Sequence, residues 1–338
     1  MLVALNKVQN ISASVMKTVL VLGGSGYLGQ FLVQSLTKSC RVGFTHHSTS
    51  APDFGGSEQA FWLDLPTGEG MQQCFDHLGP VDVVINCAAI SSPAACEKEE
   101  QTARAVNVPT KLLDALDLHR AAHAKEPLLI HLSTDQVYDG SKAYWKESDV
   151  CYPVNAYGRT KLEAEQLIQD RWAHHIILRS SVIFGPQSPV PVSRVLFLQF
   201  IATGLRQGKP TTFFEDEFRC PIYVKDIVSL VNAFVEQPGN LQYRLFNMGG
   251  PERLSRLAIA QKTADLWDLD KSCIRSALSA SVKREAASPA DISMDSTRLA
   301  LQLPLVKLTS LDNALMDIEH GAASRQQGVN SSKERLGQ

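Results

Sequence analysis

Tyr157 and Lys161 stand four residues apart in the segment NAYGRTKLEAE, residues 155–165. Residues at i and i+4 share one face of a helix, so both side chains can enter the same cleft. An ammonium beside a phenol favours the phenolate. Lowering a tyrosine pKa of about 10 by about 3 units takes about 4 kcal/mol, which one close buried cation can supply. Tyr157 then serves as general acid in carbonyl reduction and as base in the reverse direction. Lys161 also suits the ribose of a nicotinamide. Spacing alone does not demand this chemistry, because Tyr-x-x-x-Lys also describes a surface helix with a solvated lysine. The company of the pair decides. Upstream, PLLIHLST (127–134) has the pattern of a buried strand and ends in Thr134, whose hydroxyl is placed to orient and polarise a substrate oxygen.

A second chemical signal lies near the start of the chain. The apolar run KTVLVLGG (17–24) leads into Gly23, Ser25, Gly26, Tyr27, Leu28 and Gly29. In a strand–turn–helix the first glycine permits the tight turn. The second lets backbone amides approach a pyrophosphate, and the third lets the helix pack close to the strand. Phosphates then meet free N–H groups at a helix N-terminus. Further cofactor contacts are expected where later strands end. Asp64 and Leu65 are placed against an adenine, and Cys87, Ala88 and Ala89 give a flat group a small-residue wall. The second strand ends FTHHSTS, with His46 and Ser48 but no carboxylate to hold a ribose 2′-hydroxyl. This favours NADP(H), with some use of NAD(H).

The elements that must position these residues alternate. Strands are expected at 17–24, 40–46, 60–65, 81–89, 127–134 and 174–185. Helices are expected at 27–38, over the long stretch after Cys96 that Pro109 interrupts, and at 156–170. The pattern predicts an α/β fold: a Rossmann-type, doubly wound parallel sheet over 17–185. Prolines 186, 189 and 191 mark a change to a smaller α/β part over 186–322, mainly for substrate, with some segments returning to the sheet. Residues 1–16 read as an extension and the polar stretch 323–338 as a disordered tail. A net charge of -2 argues against nucleic acid or an anionic membrane as main partner, and no apolar run reaches the length of a membrane span. Seven cysteines without a Cys-x-x-Cys pair point to reduced thiols in the cytoplasm and to no metal site.

The glycine loop, NCAA, STDQVYDG and NAYGRTKLEAE together resemble the extended short-chain dehydrogenase/reductases. The similarity is to their dTDP-4-dehydrorhamnose reductase branch and the related regulatory beta subunit of methionine adenosyltransferase. It runs from about 17 to 320. It implies Thr134, Tyr157 and Lys161 as the catalytic triad. It also implies Asn107 as the residue supporting the lysine through water, Gln136 and Tyr138 at the substrate, and a homodimer built through the helices flanking the sheet. The sequence departs from the branch at Ser288, where an arginine is usual. Arg219 offers itself instead, either to a sugar-nucleotide diphosphate or to a salt bridge with Glu215 or Asp216. Arg179 reads as a structural residue at the sheet edge, and Ser255 and Arg256 as structural.

Three functions stay open. One is NADPH-dependent reduction of a 4-keto-6-deoxy sugar nucleotide. Another is a nucleotide-binding regulatory subunit that docks on a partner such as methionine adenosyltransferase. The third is reduction of some other carbonyl.

Overall fold

The computed structural model describes residues 16–237 and 241–321. The expected extension (Met16 apart) and the expected tail therefore lie outside the described residues.

Seven parallel strands form the central sheet in the order β11-β6-β5-β4-β1-β2-β3. They are β1 (Thr18–Leu22), β2 (Arg41–His46), β3 (Gln59–Trp62), β4 (Val83–Asn86), β5 (Leu128–Thr134), β6 (His175–Ser180) and β11 (Leu245–Met248). β1, TVLVL, is buried along its whole length, as a strand covered on both faces must be. From β1 the chain moves outward to β2 and β3, then returns to place β4 on the other side of β1. That reversal opens a crevice at the carboxyl ends of β1 and β4, where α/β sheets bind ligands. β11 comes from beyond residue 185 and pairs with β6, so the sequence boundary at 185 does not divide the sheet.

Two apolar clusters cover the faces. One centres on α1 (Tyr27–Leu36) and α8 (Val224–Glu236), with Leu32, Val33, Ile227 and Val231 against β1 and β5. The other centres on α2 (Met71–Leu78) and α5 (Thr110–His123), with Phe75, Leu112 and Leu116. The long helical stretch after Cys96 is three helices, α3 (Pro93–Lys98), α4 (Glu100–Asn107) and α5, and Pro109 stands at the N-cap of the last. α6 (Ala156–Arg171) starts where the Asn155 side chain accepts the Gly158 N–H at 2.9 Å.

The remaining elements are small. β7 (Ile183–Phe184) pairs with β10 (Ile222–Tyr223), β8 (Thr211–Phe214) with β13 (Ile274–Ala277), and β9 (Phe218–Arg219) with β12 (Leu254–Ser255). α7 (Phe197–Arg206), α9 (Arg256–Leu266) and α10 (Thr297–Gln302) complete this part.

A buried polar chain fastens α6 to the sheet. Arg179 of β6 donates to Glu165 of α6 at 2.6 Å, and the Ser133 hydroxyl donates to the same carboxylate. Arg179 also donates to the Tyr138 hydroxyl at 2.9 Å, which donates in turn to Asn247 of β11 at 2.7 Å. β6 lies between β5 and β11, so Arg179 is an interior residue of the sheet and not an edge residue. Removing one partner of a buried pair leaves an uncompensated charge. Arg179→Met should therefore cost about 3–5 kcal/mol in urea unfolding. A loss below about 1 kcal/mol would show that the pair does not hold α6.

Candidate active site

The glycine loop builds one end of the cleft. Gly23 has φ +75, and a Cβ there would stand 2.8 Å from the Ala88 Cα. A Cβ on Gly29 would stand 2.2 Å from the Gly23 carbonyl oxygen. Both positions therefore require glycine, and the loop lies tight against α1 and the end of β4. Gly26 is the N-cap of α1 and makes no side-chain cap, so the first N–H groups of the helix face the cleft free. Ser25, Gly26, Tyr27 and Leu28 line it. The volume of 790 Å³ lies within the range of cofactor pockets, and the backbone cradle fits a pyrophosphate. This donor set and shape fit a dinucleotide.

Cys87 and Ala89 line the cleft, whereas Ala88 packs beneath the glycine loop. Ser48, Thr49 and Ser50 line its outer end, and the His46 ring pins that turn through the Thr49 carbonyl at 2.9 Å. Asp64 accepts the Thr67 hydroxyl at 2.6 Å and stands 3.5 Å from His47. Leu65 packs into the core beside α2. Neither Asp64 nor Leu65 reaches the cleft wall, because β3 is the outermost strand and its end turns back on Glu69.

At the centre, β5 ends in Thr134 and α6 presents Tyr157, both buried and both at the cleft wall. The Thr134 hydroxyl donates to Asp135 Oδ1 at 3.2 Å and accepts the Gln136 N–H at 3.2 Å, and it lies close enough to the Tyr157 hydroxyl to influence its ionisation. Burial pushes the Tyr157 hydroxyl up to about 12, with the Thr134 hydrogen bond and the Arg194 charge pulling the other way. This corrects the sequence expectation of a phenolate made by Lys161. Lys161 does not line the cleft: it is buried, and its Nζ lies 3.0 Å from Nε2 of His131 on β5. Burial lowers the Lys161 ammonium to about 8, with Glu165 and Cys87 opposing.

The Asn107 side chain clamps the Ile90 backbone at 2.8 and 3.1 Å and the Thr160 hydroxyl, next to Lys161 in sequence, at 3.0 Å. One further expectation is corrected. Tyr138 is wholly buried in the Arg179 chain and absent from the cleft, its ring stacked on Trp145. Gln136 does line the cleft, its Oε1 held by Asn155 at 2.8 Å.

Arg219 and Arg256 stand at the cleft's other end. Arg219 is buried and donates to the Pro289 carbonyl at 2.9 Å and to Ser288 Oγ at 3.2 Å. Its nearest carboxylate is Glu217 at 3.8 Å, and Arg256 bonds that same carboxylate at 2.8 Å. The salt-bridge partner is thus Glu217, not Glu215 or Asp216, and Arg256 belongs to the cleft. Burial and the neighbouring Arg256 lower Arg219 to about 10, so it stays cationic at neutral pH.

Sequence reading missed Gln30, Asp135 and Arg194. Asp135 lines the cleft and accepts the Thr134 hydroxyl at 3.2 Å and the Ser181 hydroxyl at 2.8 Å. Gln30, fully buried in α1, exchanges two hydrogen bonds with the Val190 backbone, at 3.0 and 2.8 Å. With Tyr27 donating to the Pro186 carbonyl at 2.8 Å, it seats the proline-rich segment over the cleft. Arg194 of that segment reaches Ser91 on the opposite wall. A polar glutamine on the apolar face of α1 was the available signal for Gln30. Nothing local marked Arg194.

Residues 16–318 match the RmlD substrate binding domain family. The chain belongs to that family. It is 31% identical over 228 residues to dTDP-4-dehydrorhamnose reductase of Aggregatibacter actinomycetemcomitans, covering 66% of this chain and 68% of that protein. It is 27% identical over 270 residues to methionine adenosyltransferase 2 subunit beta of Rattus norvegicus, covering 77% and 75%. A solved structure described as a hypothetical dTDP-4-dehydrorhamnose reductase from Sulfolobus tokodaii superposes with a TM-score of 0.72 at 26% identity, over 88% of this chain and 99% of that one.

The Lys161 shift has a stability consequence. Its ammonium is disfavoured in the folded state, so between about pH 8 and about 10.5 the unfolded chain binds more protons. Stability from this group therefore rises with pH across that window and is absent below it. The difference in urea stability between the native protein and Lys161→Met should grow from pH 8 to 10, and a flat difference would contradict the buried placement.

Proposed function

We propose that the protein is an NADPH-dependent reductase of a nucleotide-linked 4-keto-6-deoxy sugar. The observation that carries this reading is the meeting of the Thr134 and Tyr157 hydroxyls in one cleft, between a glycine-loop helix N-terminus and a pair of arginines. When bound, the nicotinamide supplies a hydride to the keto carbon. The free backbone N–H groups of Tyr27 and Leu28, at the start of α1, hold the pyrophosphate, and the Ser48–Ser50 turn, free of carboxylates, takes the ribose 2′-phosphate. Thr134 orients the keto oxygen. Tyr157 stays protonated at neutral pH, as a proton donor to that oxygen must. Arg219 and Arg256 hold the diphosphate of the sugar nucleotide, with Gln136 beside the sugar. The segment over the cleft, seated by Gln30, excludes water from the reacting atoms.

NADPH consumption with dTDP-4-dehydrorhamnose tests the proposal. Tyr157→Phe removes one hydroxyl from a site held by the fold and should lower turnover about 10²–10⁴-fold with NADPH affinity retained. Equal turnover in the variant would remove Tyr157 as proton donor. A second reading, a nucleotide-binding regulatory subunit, is favoured by the similarity to methionine adenosyltransferase 2 subunit beta. It predicts tight NADPH binding, no turnover with any keto sugar, and a stable complex with a methionine adenosyltransferase.

A further inference from the structure

The hydrogen-bond chain behind the cleft fixes more than the position of Lys161. Asn86, at the end of β4, accepts the Ala88 N–H through Oδ1 at 3.3 Å. Its NH2 group therefore faces Nδ1 of His131, 3.2 Å away. Nδ1 must accept, which puts the proton of a neutral imidazole on Nε2. Nε2 then donates to Lys161 Nζ, 3.0 Å away. An ammonium has no lone pair to accept that proton, and a neutral amine has one. All three side chains are buried, so no water relieves a donor–donor clash.

We propose that His131 is a positioning residue that seats Lys161 behind the cleft in a contact only the neutral amine satisfies, and that in alkaline solution Lys161 gains one proton when it leaves this seat to meet a bound nucleotide. The inference rests on reading the cleft as a nucleotide site. The groups facing Lys161 agree with it. Glu165, on the same helix, has its charge committed to Arg179. Cys87, at the end of β4, donates to the Leu22 carbonyl at 3.0 Å and is pushed up to about 12 by burial. Tyr157, one turn back on α6, likewise keeps its proton. His131 itself is held neutral, chiefly by its burial. Around pH 9, Lys161 is thus the group in this neighbourhood left to take up a proton.

Calorimetric titration of the full chain with NADPH, in two buffers of different ionisation enthalpy, reads the proton directly. At about pH 9 the native protein should take up close to one proton per NADPH, and at about pH 7 only about a tenth as much. Lys161→Met should take up none. His131→Gln, whose amide oxygen accepts from an ammonium and which keeps a polar group in place, should take up less than half the native amount. NADPH binding at pH 9 without proton uptake, or native uptake in His131→Gln, overturns the proposal. A nucleotide-free arm separates it from the reading of the cleft: the ¹⁵N spectrum of labelled histidine should show His131 neutral with its proton on Nε2. A proton on Nδ1 overturns the seat, whereas the Nε2 tautomer without NADPH binding upholds the seat and rejects the nucleotide site.

Discussion

The ion pair between Glu165 and Arg179 is the constraint on which the site depends. α6 carries Tyr157 near its start and Glu165 two turns later, and Glu165 is bonded both to Arg179 of β6 and to Ser133, the neighbour of Thr134. One carboxylate thus sets the height of α6 against β5 and β6 together. If that height shifted by a turn, the Thr134 and Tyr157 hydroxyls would no longer meet. Buried pairs of this kind cost desolvation and seldom add net stability, but they favour one arrangement over its neighbours. Here the favoured arrangement is the one that brings the two hydroxyls to the same point of the cleft.

The glycine loop imposes the second constraint. It places free helix N–H groups at the point where strand order reverses, and the close approach of Gly29 to Gly23 leaves no room for side chains. A dinucleotide running from this loop toward β5 would bring its reactive end to Thr134 and Tyr157. The arginines lie beyond that point, on elements from the second half of the chain. The cleft therefore has a helix N-terminus at one end and two guanidiniums at the other, on either side of two buried hydroxyls.

The central strands, the glycine loop and the meeting of Thr134 with Tyr157 were legible in the sequence. Each rests on local patterning: apolar runs, turn glycines, and helical spacing. What was not legible depends on contacts between distant residues. Asp64 and Leu65 follow a strand that stops at Trp62 and proves to be outermost. The family resemblance implies Tyr138 at the substrate, yet its hydroxyl is committed to Arg179 and Asn247. Arg256 looked like a helix start, and only the fold shows that its guanidinium shares Glu217 with Arg219. Lys161 has the right spacing for a partner of Tyr157, but spacing says nothing of His131 on the neighbouring strand. The direction of the Tyr157 shift followed the same course, since burial outweighed a charge that is turned elsewhere.

The proposed reductase activity requires hydride delivery at the point where Thr134 and Tyr157 meet. Incubating the protein with dTDP-4-dehydrorhamnose and NADPH deuterated at the transferred position of the nicotinamide, then weighing the sugar nucleotide, tests this most directly. One deuterium on the former keto carbon is the expected result. Bound NADPH with an unlabelled, unreduced sugar would contradict that activity.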